Sequence, residues 1–514
     1  MTARENPRPR RGFVNRALDT VEAVGNRLPD TATLFVIIAV AILIVSWLAA
    51  RAGVSAIHPK DGSVIEAVNL LTREGVRRIF TDAVKNFTGF APLGIVLVAM
   101  IGIGVADRTG LITVTLRSMV MKIPPRMLTI AVITVSMLSH AAGDAGVVLM
   151  PPIGAMLFLS AGRHPLAGLC AAYAGVTGGF SANLLPSSLD VLLAGFTQEA
   201  INASKLLPGY TAQVLGNYYF MCAVVPLLTI GGALVTEKII EPRLGTWHGA
   251  GDHLVELTPE EHRGLRAAGI AVLVSLAALA VMIVPSWGIL RGPGVTTLEQ
   301  LKPTFDSMII LIMLLFFVPG VAYGIAAKKI RSDKDVTSMT GETLGTMGTY
   351  IVLAFAAAQF VNYFAWSNLG AIIAIKGAEF LKSVGLQSGA LLVGFVLFTA
   401  TINLLITSAS AKWAVVAPVF VPMFILLGFS PEGTQAVFRV GDSCTNIITP
   451  MFPYIPFIVA TVQRYDPKAG SGTLITLMIP YAMTFLLLWT TLLLLFHGFH
   501  WQIGPGVFME LAKQ

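Results

Sequence analysis

The sequence predicts an all-α integral membrane protein with about nine transmembrane helices, two re-entrant helical hairpins and two broken helices, in an inverted-topology repeat. Three observations carry this. First, the 514 residues are 55% hydrophobic and only 12% charged, with mean hydropathy +0.76, against about 25% charged in an ordinary globular chain. Second, two long apolar stretches, 162–190 and 439–456, fill with glycine, proline, serine and asparagine where a span should continue. Third, the apolar regions 127–161 and 387–428 each divide around a polar tip into two arms, some of them too short to cross a bilayer.

Taken in order, uncharged runs of spanning length lie near 31–50, 86–106, 213–236, 267–290, 307–327, 344–366 and 473–497. The broken helices are placed at about 166–195 and 434–463. In the first, Gly175, Gly178 and Gly179 precede Ser181, Asn183, Pro186, Ser187, Ser188 and Asp190; in the second, Arg439 to Pro456 reads RVGDSCTNIITPMFPYIP. Non-helical backbone at membrane depth is tolerated only when buried in protein or lining a watery cavity. One such interruption in each half of a chain points to a transport site.

The first hairpin, 127–161, turns at SHAAGDAG (139–146), and the second, 387–428, at TSASAKW (407–413). Orientation comes from basic loops. The arginines at 4, 8, 10, 11 and 16 and the run KKIRSDK at 328–334 are expected on the cytoplasmic side. Counting spans from a cytoplasmic segment 1–30 puts the first hairpin open to the cytoplasm, the loop 237–266 inside, the second hairpin open outside, and the C-terminus outside. The units are then a first half, 31–236, and a second half, 267–514, with inverted hairpin-and-break pairs. A weak repeat agrees: VVLMPPIGAMLFLSAGRHP (147–165) resembles VVAPVFVPMFILLGFSP (415–431), and SANLLP (181–186) resembles TNIITP (445–450). The 51–85 loop is the largest external piece. Cys170, Cys222 and Cys444 lie in apolar surroundings without zinc or disulfide spacing. The net charge of +7 is absorbed by positive-inside loops, so it does not point to nucleic acid.

Candidate chemistry concentrates in the breaks. Asp190 is a carboxylate in a span, which points to a proton carrier, a substrate contact or a solvated residue at the outer mouth. It has no cationic neighbour in sequence, so it is the candidate for proton coupling. Arg439 and Asp442 are three apart and share a helix face; they read as a structural ion pair, or as a clamp for a substrate carboxylate. Asn183 and Asn446 hold like positions in the two breaks. With Ser181, Ser443 and Thr445 they offer oxygen ligands for sodium, or they satisfy backbone freed by unwinding. Ser410, Lys412 and Trp413 cluster at the second tip, Trp413 as a stacking surface for a ring or an interfacial anchor, Lys412 as an anchor. His140 and Asp144 stand four apart at the first tip and are the weaker candidates; Pro450, Pro453 and Pro456 shape the second break.

The stretch DAGVVLMPPIGAMLFLSAGRHPLAGLCAAYAGVTGGFSANLLPSSLDVLLAG, with SASAKWAVVAPVFVPM and FRVGDSCTNIITPMFPY, resembles the AbgT family of p-aminobenzoyl-glutamate transporters over nearly the whole chain. The resemblance implies a bowl-shaped homodimer of ion-transporter architecture in a bacterial inner membrane, with a substrate site between hairpins and breaks. It carries over Asp190, Ser410, Trp413, Arg439, Asp442 and Pro450 as site residues. It implies a secondary transporter of p-aminobenzoyl-glutamate or related p-aminobenzoate compounds, sulfonamide antimetabolites included, driven by protons or sodium and using no cofactor. Two other readings compete. A dicarboxylate or organic-anion symporter of the same architecture needs no aromatic preference. An intramembrane aspartyl protease needs Y-D and later G-x-G-D; Tyr465-Asp466 instead comes after Asp442, and neither Asp144 nor Asp442 sits in G-x-G-D. The expectation is a transporter, not an enzyme.

Overall fold

The computed structural model describes residues 31–511 except 58–61, 122–123, 143, 248–256, 295–299 and 386–387. The cytoplasmic assignment of 1–30, with its arginines at 4, 8, 10, 11 and 16, lies outside the described residues. Among the described residues eight helices are long and apolar enough to cross a membrane. Seven correspond to the seven uninterrupted spans read from the sequence; the eighth, Ala409–Leu426, is the second arm of the second hairpin. The chain is a multi-pass membrane protein.

Both hairpins form where expected. The first is Leu128–Leu138, a tight turn at Ser139–Ala142, and Asp144–Ser160. Its 11-residue first arm rises about 17 Å, roughly half the hydrocarbon thickness. The second hairpin is Ser388–Asn403 and Ala409–Leu426.

From the second arm of each hairpin into its broken helix, the two units repeat the same order of features. The second arm carries two prolines, Pro151 and Pro152 in one unit, Pro418 and Pro422 in the other. It ends on a glycine with positive φ, Gly162 (72°) or Gly428 (91°), a geometry that costs glycine least. An N-cap comes next: the His164 ring accepts from Leu166 N at 3.3 Å, and Ser430 Oγ accepts from Gly433 N at 2.9 Å. Pro165 and Pro431 then open the broken helices at the first helical position. The first runs Pro165–Tyr173, a π turn Ala174–Gly178, a non-helical stretch, and Ser188–Ser204. The second runs Pro431–Cys444, a turn region, and Ile455–Gln463. The weak sequence repeat is therefore a structural one.

Small residues let these elements approach closely. A Cβ on Gly168 would overlap Gly154 O, and one on Gly441 would overlap Thr399 Oγ1 and Val396 O. Gly441→Ala is therefore expected to cost about 1–3 kcal/mol through overpacking, read as a lowered thermal midpoint in detergent.

Several connections carry more structure than their sequence suggests. The 51–85 loop holds a two-stranded hairpin, Ser55–Ile57 with Val64–Glu66, and then an amphipathic helix, Arg73–Thr88, that leads almost directly into the span Ala91–Arg108. Leu111–Met121 and Leu369–Ser383 are additional helices. Their charges, Arg117 in one and Lys376, Glu379 and Lys382 in the other, hide them from a search for uncharged runs. Within the basic loop 328–343 a helix starts at Asp333. Asp335 caps it by accepting from the backbone N–H of Arg331 (2.8 Å) and Ser332 (2.9 Å), which holds its carboxyl below the usual range.

Candidate functional site

The two breaks meet in the protein interior. Ser181 N donates to Ser443 Oγ at 3.3 Å, and a Cβ on Gly178 would touch Ile447 at 3.2 Å. Around this crossing lie two buried ion pairs, neither of them the expected one. Arg439 and Asp442 do not pair with each other. Arg439 Nη1 reaches across 249 positions of sequence to Asp190 Oδ1 at 2.6 Å, and Lys412 Nζ contacts Asp442 Oδ1 at 2.6 Å. Asp190 therefore does have a cationic neighbour, and Lys412 is not an interfacial anchor: its side chain is 1% exposed.

Asp190 is held by its own helix as well. It lies one turn into Ser188–Ser204, where its Oδ2 accepts from Ser187 N (2.7 Å) and Ser187 Oγ (2.9 Å), a capping arrangement that satisfies the helix start. Being 9% exposed, it is no solvated mouth residue. It shares a small cavity with Asn183, Asn217 and Tyr218.

The second pair is organised by Asn403, which sequence reasoning missed. Its Nδ2 lies within hydrogen-bond distance of Asp442 O (2.6 Å), Thr445 Oγ1 (2.9 Å) and Asn446 Oδ1 (2.8 Å), while its Oδ1 accepts from Lys412 Nζ. The available signal was an asparagine closing an otherwise apolar arm. The candidate sodium ligands divide by these contacts into three places. Ser181 meets Ser443, Thr445 and Asn446 meet Asn403, and Asn183 Oδ1 accepts from Leu185 N at 3.1 Å. Pro450 sits half-buried in the second break beside Thr449, whose hydroxyl donates to Leu404 O at 2.8 Å.

Trp413 is fully buried rather than displayed at a tip. Its Nε1 donates to Thr197 Oγ1 at 3.0 Å, and its ring packs 4.6 Å from Phe438. Thr197 also accepts from Gln435 Nε2 (3.2 Å), and Gln435 Oε1 accepts from Asn217 (2.6 Å), so the indole belongs to a network joining the two repeats. Trp413→Phe removes the N–H donor and leaves unfilled the space of the second ring of the buried indole, for an expected loss of about 1–3 kcal/mol in thermal unfolding. Ser410 stands on the other face of the same helix start.

A central cavity of about 590 Å³ collects both tips and both breaks. His140 comes from the first tip and Thr407, Ser408 and Ser410 from the second. Phe180 and Ser188 come from the first break, Phe452, Pro453 and Tyr454 from the second. Met100, Asp107 and Tyr350 contribute from surrounding helices. Of the expected site residues Ser410 lines this space; Trp413, Arg439, Asp442, Asn446 and Pro450 do not, and Asp190 and Asn183 line the smaller cavity instead. The cavity size suits a drug-sized organic molecule, with rings for bulk and hydroxyls for orientation.

Paired hairpins and broken helices around a central cavity, with charged pairs buried at the crossing, are the architecture of a membrane transporter. The AbgT putative transporter family matches residues 16–511, and this chain belongs to that family. The p-aminobenzoyl-glutamate transport protein of Escherichia coli (strain K12) is 41% identical over 493 residues, 96% of each chain. The solved Alcanivorax borkumensis YdaH transporter, reported to have an unusual topology, is 41% identical with TM-score 0.88, covering 93% of this chain and 100% of its own. Neisseria gonorrhoeae MtrF, described as illuminating a class of antimetabolite efflux pumps, is 44% identical with TM-score 0.87, covering 96% of this chain and 100% of its own. The family is one of transporters, so the chain is not an enzyme and the intramembrane protease reading is set aside.

Proposed function

We propose that this protein is a secondary active transporter of p-aminobenzoyl-glutamate and related p-aminobenzoate-type compounds, sulfonamide antimetabolites among them. It acts in a bacterial inner membrane as a homodimer, with its N-terminus cytoplasmic and its C-terminus outside. The observation that carries the reading is the cavity between tips and breaks, lined by Phe180, Phe452, Tyr454 and Tyr350 beside the hydroxyls of Ser188, Ser408 and Ser410. Those rings favour an aryl substrate, and a relative with 41% identity is named for carrying p-aminobenzoyl-glutamate.

Transport is driven by a proton or sodium gradient acting through the buried pairs. An ion reaching Asp190 or Asp442 takes over the counter-charge role of Arg439 or Lys412, and so loosens the contact between the repeats. Asp190 remains the proton-coupling candidate, because its pair joins one break to the other. The dicarboxylate alternative makes a different prediction at the cavity. Labelled p-aminobenzoyl-glutamate bound to purified protein should be displaced by unlabelled p-aminobenzoate and not by succinate. Displacement by succinate alone would favour the organic-anion reading.

A further inference from the structure

With Trp413 sealed against Phe438 and Thr197, another aromatic surface has to meet the ring of an aryl substrate. The cavity offers two aromatic pairs, one from each repeat. Phe452 and Tyr454 stand on the second break with centroids 5.6 Å apart. On the first repeat the His140 imidazole packs against Phe180 at 4.1 Å, with the planes inclined at 60°. His140 comes from the hairpin tip and Phe180 from the break, so this contact bridges the two elements that enclose the cavity.

His140 differs from the other polar groups there. It is 5% exposed, and its Nε2 has no hydrogen-bond partner among the described residues. Buried polar groups are almost always paired, and an unpaired one calls for an explanation. Water would serve as well as a ligand for an isolated nitrogen, but this one lies beside a ring on the wall of the central cavity. An aryl group bearing an acyl oxygen matches both features, the ring against Phe180 and the oxygen accepting from imidazole N–H.

We infer that Phe180 and His140 form the aryl-acyl subsite of this transporter, Phe180 packing on the substrate ring and His140 hydrogen-bonding the carbonyl or carboxylate oxygen attached to it. This rests on the aryl-substrate reading above. The ligand class is an aromatic carboxylate or carboxamide, and the amino-acid part attached to the acyl group lies beyond the subsite.

The test is equilibrium binding of p-aminobenzoate and of p-aminobenzoyl-glutamate to the purified full-length protein by calorimetry. Phe180→Leu should weaken both ligands about tenfold through loss of the aromatic contact. His140→Phe keeps a ring against Phe180 but removes the hydrogen bond, and should weaken both. His140→Gln, which keeps a donor, should lose less than His140→Phe and guards against a purely structural effect, as does unchanged elution and thermal midpoint. Wild-type affinity in both Phe180→Leu and His140→Phe overturns the subsite alone. A wild-type protein that binds neither ligand overturns the aryl-substrate reading and the subsite with it.

Discussion

Lys412→Met is expected to destabilise the folded protein by about 3–5 kcal/mol, because it leaves Asp442 as a buried charge without its counter-ion. Both side chains are 1% exposed and 2.6 Å apart, so the carboxylate is held away from bulk solvent. The loss would be read as a fall in thermal midpoint in detergent. The double variant Lys412→Met/Asp442→Leu removes both charges and should recover much of the loss, since an apolar replacement of a buried pair is often neutral or better. A double variant as unstable as the sum of the two singles would refute the pairing. Asn403 ties the two partners together, accepting from the Lys412 ammonium and donating to the Asp442 backbone carbonyl.

The second large effect concerns transport rather than folding. Arg439→Gln and Asp190→Asn are each expected to reduce gradient-driven transport by about a hundredfold, as the loss of one partner of a hydrogen-bonded buried charge pair would. Asp190→Asn is the cleaner variant. Its side-chain oxygen still accepts from Ser187 N, so the cap of Ser188–Ser204 survives while the attraction for Arg439 is lost. The combined variant should be no worse than the poorer single, because residues acting as a unit are not additive. Losses that multiply would mean that Arg439 and Asp190 act separately.

The architecture was legible because its signals are local. Hairpin arms, spans and breaks arise from runs of apolar residues interrupted by glycine, proline and hydroxyl residues, and the hairpins lie at Leu128–Ser160 and Ser388–Leu426. The helices Arg73–Thr88 and Leu369–Ser383 were lost to the same logic, since their charges break the hydropathy signal.

The ion pairing was not legible. Spacing along one helix identifies Arg439 and Asp442 as neighbours, but each finds a partner on another element, one of them 249 positions away. The second tip shows a subtler failure. TSASAKW reads as one exposed turn, yet the chain reverses at 404–408 and helix resumes at Ala409. Successive residues then point about 100° apart. Ser410 thereby faces the cavity, while Lys412 and Trp413 turn into the protein toward Asp442 and Thr197.

The most direct test of coupling through the Asp190–Arg439 pair is uptake of labelled p-aminobenzoyl-glutamate into sealed liposomes containing the wild-type protein or Asp190→Asn, with a proton gradient or a sodium gradient imposed separately. Wild-type protein should concentrate the label above its external level with one of the two gradients, and Asp190→Asn should not. Equal accumulation by both proteins would contradict the role of the pair. Movement of label only down its own gradient, whichever ion is supplied, would contradict secondary active transport itself.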